Sequence, residues 1–428
     1  MSRRLRLAIF VALLGAVGAG VLALAAALFD FGADPPPAAM NYEELTGSLF
    51  AVPPGDPFRA PKVREIPLPR FENATSIWGA LGRDPRGHIW VGVSAANSGM
   101  SAHLLEYDPA LETWRDHGSV ASRLAEAGFA SDRAAQVKIH SRIVTGADGW
   151  LYFASSDEEG ESEAGRILPR RGSHLWRIHP VLREWQHLLE APEGLIAVSG
   201  VGRYVYALGY WDHVLYQYDT QTRQSRRVVV GSVDSHVTRN LLSDIRGHVY
   251  VPRVARHGDG SVKAELVEFD EALRELAATP LDAYLGRTSP ANSHGIVGLA
   301  YLPDGRMLFT THIGALYLVE PGNDGKAAVS ALGRFHPGDD AYAPSLFQLT
   351  GSSIVGGVVQ RRNGFEWVVR DFGLQVARSF PVDTGALEKV LLYGSISRDN
   401  AGRAYVGGWA AGEGGGQRPV LLQIAFGP

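Results

Sequence analysis

The sequence predicts an all-β protein, a seven-bladed β-propeller of four-stranded blades. Three observations predict it. Seven short hairpins recur along the chain, each is followed by a matching further strand, and the copies lie roughly 45–60 residues apart, close to the period of a propeller blade. One such sheet cannot bury both of its faces, whereas neighbours stacked around an axis do.

The fullest copy runs from His140 to His187. It reads HSRIVTGADGWLYFASS, then a charged insert, then HLWRIHP and REWQHLL. Asp148 and Gly149 supply the turn, since both tolerate the positive φ of a tight reversal. Trp150, Tyr152 and Phe153 follow, and aromatics favour a half-buried pleated surface. The other hairpins are Ser76–Ser94, Leu195–Tyr210, Arg239–Arg253, Gly295–His312, Ser345–Val359 and Gly394–Trp409. Their following strands include HLLEYDP from His103, VLYQYDT from Val214 and ELVEFDE from Glu265. The seventh copy reaches Pro428 without a fourth strand. Val63–Leu68 alternates as a strand ahead of the first hairpin, so it is expected to supply that strand and close the ring.

Ahead of the propeller, expected over 62–428, lie two further segments. Residues 1–31 carry Arg3, Arg4 and Arg6 and then an apolar run from Leu7 to about Phe29. A run of about 20 apolar residues is long enough to span a bilayer. The expectation is a signal anchor, or a signal peptide cleaved near Ala25-Ala26-Ala27. Positive flanks stay cytoplasmic, so the propeller would stand outside the cytoplasm, in a bacterial periplasm or at the cell surface, and would be secreted after cleavage. Residues 32–61 are rich in Pro, Ala and Gly and read as an extended tether.

Composition excludes several classes. There is no cysteine, hence no disulfide, thiolate metal site or cysteine nucleophile. A net charge of −4 gives no electrostatic footprint for nucleic acid. No Gly-x-Ser-x-Gly elbow, P-loop or His-Glu-x-x-His stands in the context its chemistry needs.

Blade geometry narrows the search for a site. The start of each first strand and the end of each second strand open on the same face. First-strand starts carry His140, Glu193, His236 with Arg239, His294, Tyr342 and Tyr393. Second-strand ends carry Ser155 and Ser156, Tyr210-Trp211-Asp212-His213, Arg253, His312 and Trp409. His, Tyr and Arg on one face suit proton abstraction beside a carboxylate, with Arg neutralising the carboxylate and His or Tyr moving protons. A histidine cluster could instead hold Zn²⁺ or another divalent ion. The acidic run Asp157–Glu163 reads as a solvated loop, a lid over that face or a cation site, and its spacing does not match an EF-hand Ca²⁺ loop. The Asp-x-x-Gly segments at Asp84 and Asp244 read as hairpin turns.

Lys138-Ile139-His140-Ser141, followed by Asp148-Gly149-x-Leu151-Tyr152-Phe153, resembles bacterial seven-bladed propellers of the ulvan lyase type. The resemblance continues through HLWRIHP, Glu193-Gly194-Leu195-Ile196, Tyr206-Ala207-Leu208-Gly209-Tyr210 and Arg239 ahead of Asp244. It implies β-elimination on uronic-acid polysaccharides, with His140 and Tyr210 as proton-transfer residues, Arg239 on the carboxylate and His294 as a second histidine. Glu193, Trp211, His213, His236, Arg253, His312 and Trp409 would then border the substrate. The other function class is a non-catalytic, membrane-tethered propeller that binds a periplasmic or membrane protein, a glycan or a small ligand.

Overall fold

Four of the hairpin turns are fastened by an aspartate of their own. In the computed structural model, Asp84 Oδ1 accepts the backbone N–H of Arg86 and of His88, and Asp244 Oδ1 those of Arg246 and His248. The second carboxylate oxygen takes an aromatic from the following strand: Trp90 Nε1 on Asp84, Tyr250 on Asp244, Tyr405 on Asp399 and Tyr152 on Asp148. The turn thus fixes the strand behind it. These aspartates are hairpin anchors, as their spacing from glycine suggested.

The structure describes residues 55–427 apart from 97–99, 130–134, 163–165, 288, 291–292, 323–324, 339–340, 350–352 and 363. The expected anchor, 1–31, and the tether up to residue 54 lie outside the described residues. Among the described residues no helix is long and apolar enough to cross a membrane.

The strands form seven antiparallel sheets, each one blade. Blade 1 spans Ala74–Ser76 and Leu81–Arg83, Ile89–Ala95, His103–Asp108 and Thr113–Ser119. A short helix, Val120–Glu126, capped by Ser119, leads out of it. Blade 2 spans Lys138–Ile139 and Val144–Thr145, Leu151–Ser156, Ser173–Ile178 and Trp185–Ala191. Blades 3 to 6 start at Gly194–Val201, Leu242–Ser243, Ile296–Tyr301 and Phe347–Gln348. Blade 7 comprises Leu391–Arg398, Ala404–Ala411, Gln417–Ala425 and, from the other end of the chain, Lys62–Glu65. That last strand pairs Val63 with Ile424 and Glu65 with Leu422, and Ile66 N–H still donates to Leu421 O at 2.8 Å. It stops short of Leu68 because Pro67 has no N–H to continue the ladder.

Seven hydrophobic clusters sit at the seven seams between blades. Trp90 of blade 1 packs with Phe153 and Trp176 of blade 2. Trp367 of blade 6 packs with Val406 and Leu422 of blade 7. Ile66, Ile77 and Tyr107 pack with Tyr405 and Leu421, so the seventh blade seals against the first.

Candidate functional site

The inner strands of blades 1 and 2 are broken, at residues 77–80 and 140–143. Trp78 and His140 lie in these breaks. Blade 4 places Arg239, blade 5 His294, blade 6 Tyr342 and blade 7 Tyr393 at the corresponding level. These side chains meet at one mouth of the propeller.

Arg239 is the centre of this set. Its Nη1–H donates to His140 Nε2 at 2.8 Å, and its guanidinium stands 5.1 Å over the Tyr393 ring. Guanidinium only donates, so His140 Nε2 accepts and its proton sits on Nδ1. Trp78 leans on Tyr393, 4.8 Å between centroids, and lies 6.1 Å from His140. Lys138 Nζ caps the Trp78 ring at 4.6 Å. Across the mouth, the His294 and His312 rings are 4.9 Å apart, and Tyr342 edges onto both.

The backbone fixes this arrangement. Arg239 N–H donates to His294 O at 3.2 Å, and Thr238 Oγ1 accepts the Ile296 N–H at 2.9 Å. Between them Gly295 has φ +64°, and a Cβ there would lie 2.5 Å from the Thr238 side chain. Glycine lets blades 4 and 5 approach closely enough to juxtapose Arg239 and His294.

The electrostatics favour an anion. Burial holds the His140 imidazolium well below its ordinary range, helped by the charges of Arg239 and Lys138 and by His294. Burial, Arg239 and His312 bring His294 down to about 3, and burial and Arg239 lower His312. All three are therefore neutral at pH 7. Arg239 has no carboxylate partner among the described residues. Arg239 Nε, His294 Nδ1, His312 Nδ1 and Tyr342 Oη are buried without a hydrogen-bond partner. Such atoms are rare in native proteins and call for a ligand, water or ion.

A dication fits poorly here, because the Arg239 charge stands among the imidazoles. Among the described residues, only Asp84, His88 and Glu106 bring three ligating atoms within 4.8 Å of one another. Arg86 already bridges Asp84 and Glu106, and His88 and His117 bond Glu106, whose carboxyl is held down to about 2. That cluster is a saturated network on the hairpin side.

The remaining expected residues lie elsewhere. Tyr210 donates its hydroxyl to Glu161 Oε2 at 2.5 Å. Trp211 Nε1 donates to Ile167 O, and Arg166 pairs with Asp212. The charged segment after Asp157 therefore folds across the end of the blade 3 strand and ties down Tyr210. Its acids are paired: Glu158 with Lys138, and Asp157 and Glu159 with Arg171. His213 donates to Pro252 O, and His236 is buried between Ser232 and Tyr284, so both join blades internally. Glu193 accepts the Tyr216 hydroxyl. Arg253 is held by Glu265 and Glu275. Trp409 is half-buried on blade 7, with its indole N–H unpartnered. The structure thus unites His140, Arg239, His294, His312, Tyr342 and Tyr393, and adds Trp78 and Lys138. Trp78 occupies the same position in its copy as His140 does in the second, and that register is the signal for it.

Burial, opposed by the Tyr210 hydrogen bond and reinforced by Glu158, raises the Glu161 carboxyl to about 7. A carboxyl whose folded value is raised contributes stability below its ordinary value of 4.5 and loses it as pH rises through about 7. The segment following Asp157 is therefore expected to become more protease-sensitive across that window. Glu161→Gln, neutral throughout, should abolish this pH dependence in a limited-proteolysis comparison.

No family model matches the chain, and no curated protein matches it. Among solved structures it is similar to a protein of unknown function from Dyadobacter fermentans, with TM-score 0.50 and 12% identity over 85% of this chain and 99% of that one. It is also similar to a fungal alcohol oxidase of the AA5 family in complex with copper, with TM-score 0.50 and 10% identity over 86% of this chain and 77% of that one. At such identities the likeness shows the fold alone. The chain is a seven-bladed β-propeller whose mouth gathers one arginine, three neutral histidines and two tyrosines.

Proposed function

We propose that the chain is an exported, membrane-tethered propeller whose mouth binds a carboxylate-bearing glycan and breaks it by β-elimination. The observation that supports this most is an Arg239 guanidinium without a carboxylate partner among the described residues, ringed by unpartnered His294, His312 and Tyr342 atoms. A uronate carboxylate on Arg239 would acidify the adjacent C–H. Neutral His294 or His312 would take that proton, the carbon–oxygen bond at the β carbon would break as a C=C bond forms, and Tyr342 would protonate the departing oxygen. Export and tethering are supported by the basic flank and apolar run of residues 1–31.

The second reading, a binding propeller without chemistry, is favoured by Tyr210, which the resemblance makes the proton-transfer tyrosine but which is engaged with Glu161. An elimination assay separates the two. Polyuronates are incubated with wild type, His294→Gln and Tyr342→Phe, and the ultraviolet absorbance of the unsaturated product is followed. The proposal expects product from wild type and a loss of roughly 100-fold or more in each variant, as for removal of a general acid or base. Binding without product from a folded wild type would leave the second reading.

A further inference from the structure

Below the mouth, the central channel holds a cavity of about 130 Å³ lined by Arg83 of blade 1, Arg142 of blade 2 and Arg398 of blade 7. Arg142 follows His140 by two residues, so along the inner strand it belongs to the next level down. The polar lining is completed by Ser199, Gln348 and Tyr301. No aspartate or glutamate is among the described residues that line it.

Three guanidinium groups lining one cavity repel one another, and arginine does not discharge by losing its proton. Arg83 and Arg398 are only 5% and 6% exposed. Arg83 spends one N–H on Asn400 Oδ1 at 2.5 Å, while its Nε and Nη1 are buried without partners. Arg142 Nε is likewise buried without a partner. The nearest acids act on Arg83 from outside the cavity, and both are already engaged. Asp84 is held by Arg86 and Trp90, and Asp399 by Arg403 and Tyr405. Arginine forks match tetrahedral oxyanions geometrically, and the volume admits one such ion with water.

We propose that the channel is an oxyanion site, in which Arg83, Arg142 and Arg398 hold one ion of the phosphate or sulfate class and so tie blades 1, 2 and 7 together across the ring's closing seam. The site is separate from the Arg239 mouth and independent of what that mouth does.

Thermal unfolding of the full-length chain tests it. Phosphate and, in a parallel arm, sulfate are titrated against chloride at equal ionic strength, for wild type, Arg142→Gln and Arg239→Gln. General salting effects act on all three proteins alike. The expected result is a saturating rise of about 2 °C or more in wild type and Arg239→Gln, absent from Arg142→Gln. Should Arg142→Gln fail to fold, Arg83→Gln removes two of the unpartnered donors and takes its place. If neither folds, calorimetric titration of phosphate and of sulfate into desalted Arg239→Gln must show one site per chain for at least one of them. An equal rise in the channel variants, loss of the rise in Arg239→Gln, or no response in wild type overturns the proposal.

Discussion

Arg239→Gln is expected to weaken binding of an acidic glycan by roughly 10- to 100-fold, the range of one charge-assisted hydrogen bond worth about 1.5–3 kcal/mol. Glutamine keeps much of the volume and some hydrogen-bonding capacity but removes the charge. Two further outcomes distinguish a ligand-binding role from a structural one. Arg239 has no acidic partner among the described residues, so deleting its charge relieves a desolvated cation. The variant should unfold no lower than wild type, as residues held for binding commonly cost stability. The imidazoles should also titrate higher, because Arg239 is among the causes that depress His140, His294 and His312. Histidine resonances followed against pH report that shift directly. A large fall in melting temperature with unchanged affinity would make Arg239 a scaffold residue.

Removing the closing strand is expected to cost the most stability. A soluble chain starting at residue 69 lacks Lys62–Glu65 and Ile66 but keeps the rest of the ring. Ile66 is only 3% exposed and sits in the seam between the seventh and first blades. Its side chain alone is worth about 2–5 kcal/mol if truncated to alanine. The deletion also strips Gln417–Ala425 of its pairing partner, takes Glu65 from Arg418, and takes the Pro57 carbonyl from Trp367. It leaves an unpaired edge, the usual template for association between chains. Denaturant unfolding of chains starting at residues 55 and 69 should therefore differ by more than the Ile66 value, and the shorter chain should aggregate. Equal stability would mean that the ring holds without its seal.

The hairpin period and the aspartate turns were legible in the sequence because both are local. Asp, Gly and an aromatic at short offsets make the turn and bond to it within a few residues, as Asp244 and Tyr250 do. The mouth was legible in part for a related reason. Once the strands are in register, His140, Arg239, His294 and Tyr342 all stand at the starts of first strands, near one level around the axis. What register cannot convey is where long connections go. Tyr210 stands at the right level of its strand, but the segment after Asp157 crosses from blade 2 and takes its hydroxyl. His236 and Arg253 share that level too, yet Tyr284 and the pair Glu265 and Glu275 occupy them. These partners come from other strands and other blades, at separations that no periodic pattern records. The arginine channel escaped notice for the opposite reason: Arg83, Arg142 and Arg398 are unremarkable in their own copies, and only ring closure brings the first and seventh blades together.

The most direct test of the account is a calorimetric titration of the wild-type chain with a polyuronate and with the same polymer after its carboxylates have been reduced to alcohols. Carboxylate recognition by Arg239 predicts binding of the acidic polymer and at least a tenfold loss on reduction, the scale of one charge-assisted contact. Equal affinity for the two polymers, or no binding of either by a folded chain, would contradict it.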